Sequence, residues 1–345
     1  MTRRQISIYN CKVGNIIAED ILNKQGIVLV VENTIVNEFI LNKLINLGIL
    51  WINIYEKALM DRKENVTVIH LLKDYENCID YLKHIIINLT TGVKVEYDKI
   101  LNFFHILYEY SDHVDLIVEC LNKIKSYDEY TLSHSLNVAM YSMLIGKWLR
   151  LPEHHVKDII LAGLLHDIGK MKIPKSILNK NGKLTSYEYE IIKNHTLLGY
   201  ELANNITHMP KDVKDTILMH HVREDNTGYP YHNSKKELNL YAKIVSIADV
   251  FDAITSRRVY KEKETPFVAF KMFLTTGSYQ FDTKILKTFL TNMSVNYIGS
   301  KVRLCNGTIG EIVYIPPQNI LDPIVKIDSN FHNLAISDYR ITELL

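Results

Sequence analysis

Cysteine is scarce. Cys11, Cys78, Cys120 and Cys305 are scattered over 345 residues and form no CxxC pair. That excludes a disulfide framework, fits a reducing cytosol, and leaves each thiol to read as a small buried hydrophobe. Net charge is also nearly absent: 40 basic and 39 acidic residues leave +1. No basic field points to a DNA or RNA polymer, and no polybasic tract to an anionic membrane surface. No apolar run reaches the roughly 20 residues that span a bilayer. The start, MTRRQISIYNCKVGN, lacks the apolar centre of a signal peptide. The expectation is a cytoplasmic protein with no membrane partner. There is no GxSxG, no cysteine in a catalytic setting, no internal repeat and no low-complexity tract. What is present is ample apolar material, 47% of residues, enough for the core of two or three domains.

Taken in order, residues 1–58 alternate β-type runs (Ile27–Val31, Leu50–Tyr55) with a helical spacing over Thr34–Leu47. They read as a small α+β module, sensory or structural. Residues 59–128 carry amphipathic repeats over Val68–Leu89 and Tyr97–Tyr110 and read as a helical linker or dimerisation surface. His70, His84, His105 and His113 have no partners at ligand spacing there. From 129 to 293 the helical pattern continues, with Thr131 or Ser133 as a cap and a box-like Thr185-x-x-Glu188. Residues 297–345 turn β-rich, over Lys301–Cys305, Thr308–Ile315 and Pro323–Ile327, as in a hairpin-rich mini-barrel. The fold class is mainly α: a helical metal-binding bundle between a small N-terminal α+β module and a small C-terminal β-rich module.

The apolar run Ile159–Leu165 ends in His166-Asp167-Ile168-Gly169-Lys170, with Gly169 placed to stop a helix. An adjacent His and Asp alone is most often a hydrogen bond at a helix end. Yet the same region repeatedly sets polar groups among apolar helical positions: His134, His166, Asp167, His195, His220, His221 and Asp249. Imidazole and carboxylate donors without thiolates suit Fe, Mn, Zn, Ni or Co. Seven donors exceed what one catalytic ion needs and match two ions that share Asp167. Two such ions clamp a phosphodiester and generate a hydroxide near neutral pH without a nucleophilic side chain.

These pieces, in this order, resemble the HD-GYP domain, a branch of the HD phosphohydrolase superfamily. The resemblance covers 129 to about 275 and rests on Tyr130-Thr131-x-x-His134-Ser135, His166-Asp167-Ile168-Gly169-Lys170, His195-x-x-x-Gly199-Tyr200, His220-His221, Asp225-x-x-Gly228-Tyr229-Pro230, and Ala248-Asp249-Val250-Phe251-Asp252-Ala253 with Thr255-Ser256. It implies an all-helical domain that hydrolyses cyclic di-GMP to pGpG or GMP with Fe or Mn foremost among its metals. The ligands would be His134, His166, Asp167, His195, His220, His221 and Asp249. Some members place Glu four residues before the first His and hold a third ion. Tyr130 stands there, so two ions are expected. Asp167 and Lys170 would act in catalysis. Lys170, Arg258 and Lys261 would meet phosphate oxygens. Asp252 would face a base edge or Lys170, and Tyr229 would wall the pocket.

The family usually has Glu after the paired His and Trp-Asp-Gly before the GYP stretch. Here Val222 replaces the carboxylate, Glu224 the aromatic and Asn226 the glycine. Arg257 and Val259 replace a frequent Asp and Pro. Loss of a carboxylate beside an imidazole ligand weakens its orientation, while Asn tolerates left-handed backbone. A catalytically weak cyclic di-GMP receptor, and an HD hydrolase for another cyclic dinucleotide, are therefore the competing readings. A homodimer, and a signalling protein bound at the GYP loop or N-terminal module, are the macromolecular partners considered.

Overall fold

The computed structural model describes residues 3–55, 67–124, 130–231, 237–256 and 264–345. Its elements run β1 (Arg3–Ser7), β2 (Ile21–Leu22), β3 (Val28–Val30), α1 (Glu38–Asn46), β4 (Trp51–Tyr55), α2 (Val68–Thr90), β5 (Val95–Glu96), α3 (Tyr97–Tyr108) and α4 (Val114–Lys123). Next come α5 (Tyr130–Trp148), α6 (Glu153–Leu165), α7 (Lys175–Leu178), α8 (Ser186–Lys193), α9 (His195–Leu202), β6 (Ile206–Thr207), α10 (Lys211–Met219), α11 (Leu240–Thr255), α12 (Pro266–Leu274) and α13 (Thr283–Ser294). The chain closes with β7 (Lys301–Leu304), β8 (Ile309–Tyr314), β9 (Ile324–Ile327), β10 (Asn330–Asn333) and β11 (Ile341–Leu344). It divides into two compact units, Met1–Asn65 with Lys287–Leu345, and Val66–Leu286. Among the described residues no helix is long and apolar enough to cross a membrane.

The first unit joins the two chain ends, which the sequence pattern presents as separate modules. β1 pairs antiparallel with β4, and α1 is capped by the Asn37 side chain, which accepts from Ile40 N at 2.9 Å. The C-terminal strands form an antiparallel sheet in the order β10-β9-β8-β7-β11. It is an open sheet with β10 and β11 at its edges, not the closed mini-barrel the hairpins suggest. Tyr314 of β8 belongs to the apolar cluster of Ile17, Val30, Ile40 and Leu44. Its hydroxyl donates to Leu29 O at 2.5 Å, and Asn37 Nδ2 donates to Val313 O at 2.8 Å. Burial patterns say that a strand has an inner face; they do not say which distant segment covers it.

The second unit is helical, and in one of its apolar clusters Leu71, Tyr75, Leu82, Ile100 and Phe103 pack with Leu136, Met140, Ile160 and Leu164. The segment read as a linker therefore shares its interior with the bundle that follows. The parallel pair β5–β6 (Val95↔Ile206) adds a backbone tie between them. α5 is buried on nearly every side, as befits a central helix. It already includes Thr131 and Ser133, so neither is its cap. α6 crosses α5 closely because Gly163 has no side chain: a Cβ there would lie 2.8 Å from Ala139 Cα. The capping box at α8 is formed, with Thr185 Oγ1 accepting from Glu188 N and Glu188 Oε2 accepting from Thr185 N at 2.7 Å. Of the cysteines, Cys11, Cys78 and Cys120 are buried, whereas Cys305 is exposed.

Candidate metal centre

Five elements of the helical unit deliver the polar residues to one place. His134 comes from α5, His166 and Asp167 from the end of α6, His195 from the start of α9, His220 and His221 from the end of α10, and Asp249 from α11. Glycines bring the backbones close enough. Gly169 follows the His-Asp pair in a 3-10 turn, and a Cβ on it would meet His195 O at 1.9 Å and Gly199 N at 2.5 Å. Its role is this contact, not the helix stop that the sequence suggests. Gly228, at φ +89°, likewise has room only for hydrogen, since a Cβ would meet His221 O at 2.0 Å. Asn226 takes φ 63°, the left-handed backbone that Asn accommodates.

The donors fall into two overlapping groups, Asp167 with His195, His220 and His221, and Asp167 with His134 and His166. Asp167 spans both. Its Oδ1 lies 3.3 Å from His195 Nε2 and 3.9 Å from His220 Nε2. Its Oδ2 lies 3.3 Å from His166 Nε2 and 3.5 Å from His134 Nε2. Asp249 spans them too, with Oδ1 3.1 Å from His134 Nε2 and Oδ2 3.7 Å from His221 Nδ1.

The ring orientations follow one pattern. His166, His195 and His220 each place Nδ1 on the carbonyl three residues back, at Gly163 (2.7 Å), Ile192 (2.7 Å) and Ile217 (3.0 Å). A carbonyl only accepts, so Nδ1 carries the proton and Nε2 turns a lone pair inward. His166 Nε2 and Asp167 Oδ1 are buried without a hydrogen-bond partner. His195 Nε2 and His220 Nε2 are 3.3 Å apart. Acceptors converging on one another in a dry interior are unfavourable unless a cation sits among them. The donor set thus fits divalent metal ions.

Electrostatics agree. Burial holds His220 and His221 well below the usual imidazole range and lowers His195, leaving them neutral donors. Burial works against ionised Asp167, yet the charge of Lys170 foremost outweighs it and keeps the carboxyl well below its usual range. Asp249 is also held low against burial, chiefly by the His134 hydrogen bond. His134 goes the other way: burial lowers it, but Asp249 and Asp252 prevail and raise it to about 9.

Around the cluster, Lys170 Nζ is hydrogen-bonded to Asp167 Oδ2 and stays 22% exposed. The Tyr229 ring packs on His221, centroids 4.6 Å apart. Asp252 corrects the sequence reading. It is 1% exposed, and its oxygens are taken by His134 Nδ1 (2.6 Å), Asn137 Nδ2 (2.9 Å) and Ser256 Oγ (2.7 Å). It faces neither solvent nor Lys170, so it orients His134 instead of reading a base. Asn137 escaped the sequence reading, although its spacing of three from His134 puts both on one helical face. Arg258 and Lys261 lie outside the described residues, as do Arg257 and Val259.

Residues 119–285 match the HD domain family, whose members hold divalent metal ions. A Pseudomonas aeruginosa protein named cyclic di-GMP phosphodiesterase PA4108 is 35% identical over 207 residues, covering 60% of this chain and 50% of its own. The Xanthomonas campestris cyclic di-GMP phosphodiesterase response regulator RpfG is 39% identical over 148 residues, 43% of this chain and 39% of its own. A Vibrio cholerae protein named 3'3'-cGAMP-specific phosphodiesterase 2 is 30% identical over 177 residues, 51% of this chain and 34% of its own. The chain spans at most about half the length of these curated relatives. Among solved structures, the Bdellovibrio bacteriovorus protein Bd1817, described as an HDG"Y"P protein, shares the fold at 14% identity and TM-score 0.51, covering 84% of this chain and 98% of that one. Residues 119–285 are thus similar to the HD domain family, and the motifs they carry resemble those of its HD-GYP branch.

Proposed function

We propose that this chain is a metal-dependent phosphodiesterase that opens cyclic di-GMP to pGpG or GMP, with residues 129–293 as its catalytic domain. The observation that carries the reading is the inward convergence of Nε2 atoms on the two oxygens of Asp167. Two divalent ions would be held by Asp167 and Asp249 together with His134, His166, His195, His220 and His221. Ions bound there, Fe or Mn foremost, supply Lewis acidity and a water activated near neutral pH. Lys170 stands at the edge of the cluster, placed to meet charge developing on phosphoryl oxygens. Tyr229 shields the His221 side of the site. Arg258 and Lys261 are proposed for the second phosphate on sequence alone. We keep with this reading a cytoplasmic location, a homodimer, and a signalling partner at the Tyr229 loop or the N-terminal module.

The test is metal analysis of protein purified without oxygen, followed by cyclic di-GMP turnover on the same sample. Linear product is expected from the parent chain and none from the His166→Ala, Asp167→Ala double variant. Persistent turnover in that variant would end the reading. Val222 favours a second reading, because it packs in an apolar cluster with Leu218, Met219, Leu238 and Ala242 where the family usually has a carboxylate. Tight cyclic di-GMP binding without product over hours would make the domain a receptor. Relatives named for 3'3'-cGAMP make that dinucleotide the substrate to assay alongside.

A further inference from the structure

Asp252 is itself held by a second residue, and that residue by a third. Asn137 Nδ2 donates to Asp252 Oδ1 at 2.9 Å, and Asn137 Oδ1 accepts from the Tyr75 hydroxyl at 2.8 Å. The same hydroxyl lies 3.1 Å from the carbonyl of Ser133, the residue before His134. Tyr75 sits on α2, is 0% exposed, and precedes the stretch that matches the HD domain family. An amide has one acceptor end and one donor end. With the phenol donating to Oδ1, the NH2 end must face Asp252. Reversing the amide would set its oxygen against the carboxylate in a buried site, where such a conflict is costly.

We infer that Tyr75 is a positioning residue for His134: its hydroxyl sets the Asn137 amide, the amide sets the Asp252 carboxylate, and the carboxylate fixes the imidazole with Nε2 turned toward Asp167 and Asp249. α2 is then part of the metal centre's support, not a spacer before it. Removing the hydroxyl leaves Asn137 Oδ1 short of a donor and frees Asp252 to share its charge differently. His134 loses orientation although nothing that touches the ion has changed.

The inference rests on the reading that the cluster binds divalent ions, and the test separates the two. The full chain and its Tyr75→Phe variant are titrated with Mn2+, and the dissociation constants are compared. Direct outer partners of a ligand imidazole are worth about 10–100-fold in metal affinity, so Asp252→Asn is expected in that range. Tyr75→Phe, one link further out, is expected to weaken binding about 3- to 10-fold. The double variant should bind no more weakly than Asp252→Asn alone, because both break one chain. Asn137→Ala breaks the same link without touching α2 and should match Tyr75→Phe or exceed it. Leu82→Ala, which empties a fully buried site on the same helix, should lower stability and leave the constant unchanged. Equal Mn2+ affinity in Tyr75→Phe and the parent would overturn the inference. So would full additivity in the double variant, or a matching loss in Leu82→Ala. A parent chain that takes up no Mn2+ overturns the metal reading itself.

Discussion

His195 and His220 point Nε2 at Nε2 across 3.3 Å, and each ring is locked in that direction by a hydrogen bond from Nδ1 to a carbonyl of its own chain turn. Two lone pairs so arranged repel each other in a buried site, and a divalent cation between them would relieve that cost. The metal should accordingly be a large part of the stability of the helical unit.

Chelation is the simplest check of that dependence. A ligand at a thousand times its dissociation constant stabilises a folded state by about 4 kcal/mol. For a unit of this size, that is on the order of 10 °C in melting temperature. Thermal unfolding of loaded and chelator-stripped protein should differ by that order. Coincident melting curves would contradict the account.

The two glycines Gly169 and Gly182 should respond very differently to alanine. At Gly169 a Cβ would strike the backbone of His195 and Gly199, so Gly169→Ala should cost at least about 3 kcal/mol and lower metal uptake as well. Gly182, at φ +111°, has nothing within 4 Å, and Gly182→Ala should cost only about 1 kcal/mol of backbone strain. Urea unfolding with metal analysis reads both. Equal costs would mean that the close approach at Gly169 is not what joins the His166-Asp167 turn to α9.

Val222→Glu restores the carboxylate that the family usually carries, but into an apolar cluster. Val222 is 5% exposed, so the new side chain should destabilise the protein by several kcal/mol rather than rescue a ligand. Urea unfolding at neutral pH checks this. A variant as stable as the parent that binds metal more tightly would show that this position still addresses the centre.

Thr185→Ala should cost about 1 kcal/mol and leave metal stoichiometry intact, since the α8 capping box lies outside the donor cluster. Its partner Glu188 is lowered from 4.5 to about 2, first by the Lys180 hydrogen bond and then by the backbone of Thr185. A depressed carboxyl contributes stability that is complete above its unfolded value and lost as pH falls through the folded one. The penalty of Glu188→Gln, which removes that carboxylate, should therefore shrink between pH 4.5 and 2. Unfolding curves across that range report it, and a penalty that grows on acidification would contradict the cap assignment.

Much of the site was legible because chemistry and pattern disagreed. His134 and Asp249 stand on helices whose neighbours are apolar, and a buried polar group needs a reason. The capping box at Thr185 was legible because both of its hydrogen bonds are local. What the sequence hides is partnership. Asp252 shares a helix with Asp249, but only the packing of α5 against α11 shows that it faces His134. Tyr75 lies 59 positions before His134, and no local pattern links them. Tyr314 gives no hint that it will complete the core of the N-terminal segment. Thr131 looked like a cap because a helix start is sought at a hydroxyl, although α5 was already under way at Tyr130.

The most direct measurement is anomalous diffraction from crystals of the metal-loaded chain. The account predicts two peaks, one among Asp167, His195, His220 and His221, the other among His134, His166 and Asp167, with Asp249 between them. Density for a third ordered ion, or loaded crystals with no peak inside this cluster, would contradict it.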